Sequence, residues 1–211
     1  MAAKDLSSRP LPPGVRYCPG YLDRTAQEDL LDIIRQGVTE APLFVPTMPK
    51  TGKEMSVRMS NFGSLGWVTD KARGYRYQAD HPLTGRPWPS IPQPLLEMWD
   101  DLSGFGAPPE ACLVNFYDDA AKMGMHQDSD EEEMGAPVVS LSLGNACLFR
   151  VGGTNRGGKT TSLRLESGDA IILSGPARLI YHGVDRIYPD TSDLLKAGGR
   201  INLTLRRVTR V

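Results

Sequence analysis

Arg200-Ile201-Asn202-Leu203-Thr204-Leu205-Arg206 alternates polar and apolar residues without a break. Successive side chains of an extended strand point to opposite faces, so Ile201, Leu203 and Leu205 share one side and Arg200, Asn202, Thr204 and Arg206 the other. Two settings accommodate such a strand. At the edge of an open sheet its polar side meets water. In a small double-sheet barrel that side lines the interior, and a buried guanidinium there demands a carboxylate or phosphate partner.

Working back from this strand, period-2 patterning persists to about residue 111, and strands are expected at 111–117, 137–143, 146–151, 161–165, 169–174, 178–182 and 200–207. Turn residues punctuate them: Gly152-Gly153, Gly157-Gly158, Ser167-Gly168-Asp169 and Gly175-Pro176. Short strands with turns at this density predict an antiparallel sandwich or jelly roll. No GxGxxG or GxxxxGK[ST] phosphate loop follows any of them, which counts against a nucleotide-cofactor fold.

The first half reads differently. Twelve of the 17 prolines precede residue 95, which predicts many loops and only short regular elements. Two helices stand out. Thr25-Ala26-Gln27-Glu28 matches a capping box and leads into Leu30, Ile33, Ile34 and Val38 at helical spacing. A second helix is expected to begin near Pro94, with Leu95, Trp99 and Leu102 on one face and Gly104 as its stop.

Composition narrows the class. The chain has 211 residues, 40% hydrophobic and 23% charged, which is the profile of a single globular domain. Its longest apolar runs, such as Ala170-Ile171-Ile172-Leu173, fall far below the ~18 residues of a membrane span. The start of the chain lacks the apolar stretch of a secretory leader. The cysteines, Cys18, Cys112 and Cys147, are odd in number and form no CxxC. Reduced thiols in a cytoplasmic protein, monomeric by default, are therefore expected. The net charge of −1 argues at first sight against a nucleic-acid partner, but residues 118–133 alone hold seven acids and one base. Outside that segment 23 bases face 18 acids, a balance of +5 that permits phosphate contacts and is equally compatible with ordinary scatter.

Of the three histidines, His126 opens the H-x-D unit His126-Gln127-Asp128, and His182 closes the apolar run Arg178-Leu179-Ile180-Tyr181. Residues two apart on an extended segment point the same way, so His126 and Asp128 can share a cation that a strand-end His182 completes. Two imidazoles and one carboxylate form the facial triad of non-haem Fe(II) oxygenases, with positions left open for co-substrate and O2. Taken singly, each histidine is equally well read as a loop or strand-end residue. Strand 111–117 places Leu113, Asn115 and Tyr117 on one face, an apolar wall beside two hydrogen-bonding groups, with Tyr117 as a plain core aromatic the alternative.

Asn115-Phe116-Tyr117, His126-Gln127-Asp128, Pro137 to Gly144, Gly168-Asp169, Tyr181-His182-Gly183 and Arg200 to Arg206 together resemble the AlkB family in order and spacing. The likeness extends upstream through Met55 to Asn61, Gly66-Trp67 and Gly74-Tyr75-Arg76-Tyr77, and so spans nearly the whole chain. It implies an α+β, mainly β protein of one domain, 1–211: scaffold helices and a helix-and-loop nucleotide-recognition lid over 1–110, and a double-stranded β-helix (jelly roll) over 111–211. It implies Fe(II) at His126, Asp128 and His182. It implies 2-oxoglutarate chelating that iron, with its far carboxylate on Arg200 and with Asn115, Tyr117, Asn202 and Arg206 assisting. Leu113 and Thr204 share the faces that bear these groups, and which arginine takes the carboxylate stays open.

The resemblance further implies oxidative demethylation of N-alkylated bases such as 1-methyladenine and 3-methylcytosine. The substrate would be DNA, single-stranded by preference, with RNA as a second candidate. O2 and 2-oxoglutarate would be consumed, and succinate, CO2 and formaldehyde released. Residues 44–88 suit a lid: six aromatics (Phe44, Phe62, Trp67, Tyr75, Tyr77, Trp88) are interleaved with seven bases and three acids. Trp67 and His126 would sandwich the base, Tyr75 and Tyr77 would take phosphates beside Arg76, and Met55 and Met59 would line the pocket or belong to the core. Asp130 would approach the base edge, and Arg156 would contact the base or remain an exposed loop arginine. Trp88 is expected to pack the lid on the core. Ser129 departs from relatives with a larger basic residue there, which bears on lesion preference. The acids Asp128–Glu133 would favour cationic lesions by Coulomb attraction. A hydroxylase of proteins, lipids or small molecules, and a non-catalytic metal-binding barrel, are the competing readings.

Overall fold

In the computed structural model residues 10–211 are described, and the polar residues 1–9, on which part of the expectation of no leader rests, lie outside them. The elements run β1 (Val15–Cys18), α1 (Arg24–Glu40), β2 (Arg58–Gly63), β3 (Gly66–Asp70), β4 (Gly74–Gln78) and α2 (Gln93–Ser103). They continue β5 (Ala111–Tyr117), β6 (Met123–His126), β7 (Val138–Gly144), β8 (Cys147–Val151), β9 (Thr161–Leu165), β10 (Ala170–Leu173), β11 (His182–Ile187) and β12 (Arg200–Arg206). A six-stranded sheet, β1-β10-β7-β12-β5-β2, faces a four-stranded one, β6-β11-β8-β9. The pairing is antiparallel throughout. This is the double-sheet jelly roll that the alternation predicts. Among the described residues no helix is long and apolar enough to cross a membrane.

β12 sits inside the larger sheet between β5 and β7, in continuous register from Arg200↔Tyr117 to Arg206↔Ala111. Its position settles the two settings left open for this strand. All seven of its residues are buried. Ile201, Leu203 and Leu205 join Leu30, Ile34, Leu95 and Trp99 in the core between the sheet and the two helices. The other face looks between the sheets.

Each helix follows from its ends. Asp23, not Thr25, caps α1: its carboxylate accepts from the Ala26 amide at 2.9 Å. The helix therefore starts two residues earlier than the capping-box reading places it, because the aspartate already satisfies an orphan first-turn donor. In α2 the side chains Leu95, Met98, Trp99 and Leu102 are buried, and Gly104 ends the helix in the left-handed region at φ 63°.

Three further expectations change. Residues 178–182 are not a strand. A short 3-10 turn, Gly175–Ala177, leads into an irregular segment, and β11 begins at His182 rather than ending there. The backbone amides of Arg178 and Ile180 close local turns onto the Gly175 and Ala177 carbonyls at 3.0 and 3.2 Å and so are not offered to a neighbouring strand, while the Arg178 side chain points inward to the carbonyls of Ala136 and Asp128. The lid is a hairpin rather than helix and loop: β3 and β4 pair from Gly66↔Gln78 to Asp70↔Gly74, in a stretch that prolines spare. Finally, a division at residue 110 does not separate the sheets, since β1 pairs with β10 and β2 with β5 in the larger one.

Candidate metal centre and co-substrate cavity

Two backbone features bring the three candidate ligands together. β6 and β11 pair with His126 directly opposite His182, so both imidazoles point into the barrel. Gly183 permits the approach, since a Cβ there would lie 2.6 Å from the Met123 carbonyl oxygen. The imidazole centroids are 4.5 Å apart. Asp128 follows two residues beyond the end of β6, with His126 Nε2 at 3.5 Å from its Oδ1 and His182 Nε2 at 3.7 Å from its Oδ2. One ligand atom from each residue lies within 4.8 Å of the others.

The tautomers follow from the acceptors. His126 Nδ1 lies 2.9 Å from the Gly124 carbonyl and His182 Nδ1 3.1 Å from the Ile180 carbonyl. A carbonyl only accepts, so each Nδ1 carries a proton and both Nε2 atoms face Asp128. Burial drives the His182 pKa down to about 4, against the pull of Asp128, so its imidazole is neutral at pH 7. Burial also opposes ionisation of Asp128, but Arg206 and the two imidazoles outweigh it and hold the carboxyl well below the usual range. The Asp128 Oδ2 atom is buried without a hydrogen bond. Burial opposes protonation of His126, but Asp128 and the Gly124 carbonyl outweigh it and raise its pKa, so a cation between the rings would take the place of its Nε2 proton. Two imidazole Nε2 atoms, a carboxylate and this orphaned oxygen fit an Fe(II) ion.

Behind the triad is a cavity between the sheets, lined among others by Asn115, Tyr117, Ser140, Arg200, Asn202, Thr204 and Arg206. Two arginines of one strand differ here. Arg206 donates to Asp128 Oδ1 at 2.8 Å and to Glu131 Oε1 at 2.9 Å. Arg200 is only 1% exposed and donates to the Ser142 hydroxyl at 2.9 Å. Its guanidinium carbon stands 5.2 Å from the Tyr117 ring centroid, while Nε and one terminal nitrogen have no hydrogen-bond partner. Among the described residues Arg200 forms no ion pair. A buried cation in that condition fits the carboxylate of a bound acid, and Asn115, whose Oδ1 is likewise without a partner, lines the same space.

The remaining expected residues divide. Asn202 bonds Ser140 and the Leu141 carbonyl, and Thr204 donates to Asn202, so the polar face of β12 is pre-arranged. Leu113 and Met59 are 3% and 2% exposed and belong to the core between the sheets, away from the cavity lining, because β2 and β5 lie side by side there. Met55 is half-buried and also outside that lining. Trp67 stacks on Tyr75 at 5.6 Å and donates its indole N–H to Asp130 at 2.8 Å. Tyr75 is 48% exposed and free to meet a ligand. Tyr77 is not: its hydroxyl is engaged by Glu131 and by Arg206, which removes it from the expected phosphate role. Arg76 pairs with Asp70 at 2.8 Å within the hairpin. Arg156 lies on an exposed loop over the Tyr181 ring. Trp88 is buried as expected and donates to the Gln78 carbonyl. His81 is structural: Nε2 bonds the Pro42 carbonyl and Nδ1 accepts from Leu83 and Thr84. Gly168-Asp169 is scaffold too, the carboxylate collecting Tyr17, Gly20 and Glu166.

Two residues escaped the sequence reading. Glu131 was one acid among several, yet it is 4% exposed and paired with Arg178 at 3.0 Å and Arg206 at 2.9 Å. Arg178 was the first residue of an apolar run, and its isolation there was the available signal. Together Asp128 and Glu131 are matched by Arg178 and Arg206, so the acidic run presents far less charge to the cavity than its composition implies.

The 2OG-Fe(II) oxygenase superfamily matches residues 14–206 of this chain. An alpha-ketoglutarate-dependent dioxygenase AlkB homolog of Caulobacter vibrioides is 53% identical over 207 residues, which cover 98% of this chain and 92% of that protein. A DNA N(6)-methyladenine demethylase, ALKBH1C of Arabidopsis thaliana, is 30% identical over 236 residues, covering 98% of this chain and 51% of that protein. The solved structure of OsALKBH1 superposes with a TM-score of 0.80 at 32% identity, covering 94% of this chain and 99% of that one.

Proposed function

The chain belongs to the 2OG-Fe(II) oxygenase superfamily and, within it, to the AlkB dioxygenases, and from that membership we propose that it removes N-alkyl groups from nucleobases by oxidation. It is an Fe(II)- and 2-oxoglutarate-dependent dioxygenase that uses O2. His126, Asp128 and His182 would hold the iron. Arg200 would take the far carboxylate of 2-oxoglutarate, with Asn115, Tyr117, Asn202 and Thr204 around it and Arg206 at the metal side. The observation that carries this reading is a two-imidazole, one-carboxylate cluster in one cavity with a buried arginine that lacks an anionic partner.

When bound, iron and keto acid supply the oxidising power that hydroxylates the N-alkyl carbon. The hydroxyalkyl product collapses to aldehyde and free base, so for a methyl group the balance is one O2 and one 2-oxoglutarate consumed and one succinate, CO2 and formaldehyde formed. This chain's residues do the rest. Nδ1–H bonds to Gly124 and Ile180 fix the two imidazoles, and the apolar residues Val138, Phe149, Ile171 and Leu173 close the cavity against water.

A nucleic-acid substrate is supported by the demethylase activity named for the Arabidopsis relative and by the Trp67–Tyr75 pair, which Asp130 tethers two residues from Asp128. A stacked aromatic pair held beside the segment that carries Asp128 suits a flipped base, and single-stranded substrates spare the cost of extrusion. We place the protein in the cytoplasm as a monomer, in line with three free thiols among the described residues. The test is a panel of single- and double-stranded DNA and RNA oligonucleotides carrying 1-methyladenine, 3-methylcytosine or N6-methyladenine, each with and without Fe(II). Iron-dependent formaldehyde release matched by succinate is expected. Succinate without formaldehyde from every oligonucleotide would instead assign the hydroxylation of another substrate class, and no succinate a non-catalytic barrel.

A further inference from the structure

The β3–β4 hairpin grips the segment after Asp128 at two points. Trp67 and Tyr77 are directly opposed in the hairpin register, so their side chains leave the same face. Trp67 donates to Asp130, and Tyr77 donates to Glu131 and accepts from Arg206 at 2.9 Å. Arg206 in turn bonds Glu131 Oε1 with the same nitrogen and Asp128 Oδ1 with the other. Arg178 holds the far side of the segment, donating to the Asp128 carbonyl at 2.6 Å and to Glu131 Oε2 at 3.0 Å.

We propose that Tyr77 is a positioning residue for the metal-binding carboxylate, coupling the docked lid hairpin to Asp128 through a closed ring of Tyr77, Glu131 and Arg206. The inference rests on the metal and substrate reading above. Burial pushes the Tyr77 hydroxyl well above its ordinary value, with Arg206 opposing and Glu131 reinforcing, so its proton stays available to Glu131. Without that hydroxyl the hairpin keeps its packing and its Trp67 tether but loses its only described bond to Arg206, the arginine that fixes Asp128. A substrate that presses the hairpin down therefore stabilises the metal site, and by linkage metal and co-substrate tighten substrate binding by the same factor.

The test is a titration with Mn(II) in saturating 2-oxoglutarate without O2, free Mn(II) being read by electron paramagnetic resonance. It is run with and without a single-stranded oligonucleotide bearing one 1-methyladenine, on the wild type, Tyr77→Phe, Glu131→Gln and the double variant, all checked for folding by thermal melting. In the wild type the oligonucleotide is expected to tighten Mn(II) binding several-fold. Tyr77→Phe is expected to weaken Mn(II) binding by about tenfold and to erase the oligonucleotide's effect. The double variant should bind no more weakly than the weaker single one, because the ring acts as a unit. A Tyr77→Phe protein that keeps the wild-type ratio overturns the proposal, however weak its metal binding, since mere loosening lowers both affinities and leaves their ratio alone. A wild type with no oligonucleotide effect, despite binding both ligands, overturns it as well. If Mn(II) binds and the oligonucleotide does not, the nucleic-acid reading fails, and the proposal is decided by the tenfold loss and its non-additivity. If Mn(II) does not bind, both fall.

Discussion

Arg200 donates to the Ser142 hydroxyl at 2.9 Å and, among the described residues, to no carboxylate. A guanidinium 1% exposed cannot recover its hydration there, so its remaining donors await an anion. Arg200→Ala should raise the KM for 2-oxoglutarate about 30- to 150-fold, the equivalent of ~2–3 kcal/mol for a lost charge-assisted contact. The kcat at saturating co-substrate should fall much less. Steady-state succinate formation against 2-oxoglutarate concentration separates the two, and an unchanged KM would remove Arg200 from the co-substrate site.

Arg206 is expected to behave otherwise, because it is already bonded to Asp128 and Glu131. Arg206→Ala leaves two buried carboxylates short of a cation, a loss in the range of ~3–5 kcal/mol of stability. Thermal or urea denaturation should therefore separate Arg206→Ala from Arg200→Ala, whose removal strands no buried charge and should preserve the midpoint far better.

One acid of the segment after Asp128 has a role that can be isolated. Asp128 and Glu131 are matched by Arg178 and Arg206, whereas Asp130 forms no ion pair among the described residues and holds the Trp67 indole. Asp130→Asn retains an acceptor for that indole and deletes the charge. The preference for cationic 1-methyladenine over neutral N6-methyladenine should drop about three- to tenfold, the size of a partly screened Coulomb contact, and the effect should shrink in high salt. Competition between the two oligonucleotides at low and high ionic strength reads it directly; an unaltered ratio would detach lesion charge from this residue.

Glu110 anchors the end of the chain, accepting from the Val208 and Thr209 amides at 3.0 and 2.7 Å and from the Thr209 hydroxyl at 2.8 Å. Burial raises its pKa, but those hydrogen bonds and Arg207 outweigh it and leave it below the ordinary 4.5. The folded value lies below the unfolded one, so this stabilisation is present above pH ~4.5 and is lost as pH falls through the folded value. Glu110→Gln should lower the melting temperature at pH 7, and the gap from wild type should close as the pH falls toward 3. A gap of constant size would mean that the carboxylate's charge plays no part.

Trp99 is fully buried between α2 and the larger sheet and donates to the Ala107 carbonyl at 3.0 Å. Trp99→Ala should cost ~3–5 kcal/mol, measurable by denaturant titration, while a folded fraction of the protein should keep its affinity for 2-oxoglutarate because this core lies on the far side of the sheet from the cavity.

The barrel and the polar face of β12 were legible in the chain because each depends on local periodicity, whereas His182 is brought opposite His126 only by the pairing of β6 with β11. Alternation of two assigns faces along Arg200–Arg206 without knowledge of neighbours, and the spacing of His126-Gln127-Asp128 is what made its first and last residues candidate ligands on one side of an extended segment. Tertiary structure decided which charges are spent and which are free. Asp128, Asp130, Glu131 and Glu132 are near-equivalent as letters. Folding buries Asp128 and Glu131 among Arg178 and Arg206, ties Asp130 to Trp67 and leaves Glu132 in solvent. It also turned the supposed strand at 178–182 into an inward arginine and an irregular bend, turned Tyr77 from solvent to the Arg206–Glu131 pair, and left Arg200 without a partner. The physical reason is that a side chain's preference for strand or helix is a short-range property, whereas the fate of an ionisable group depends on which distant groups share its low-dielectric surroundings, and those are brought to it only by the fold.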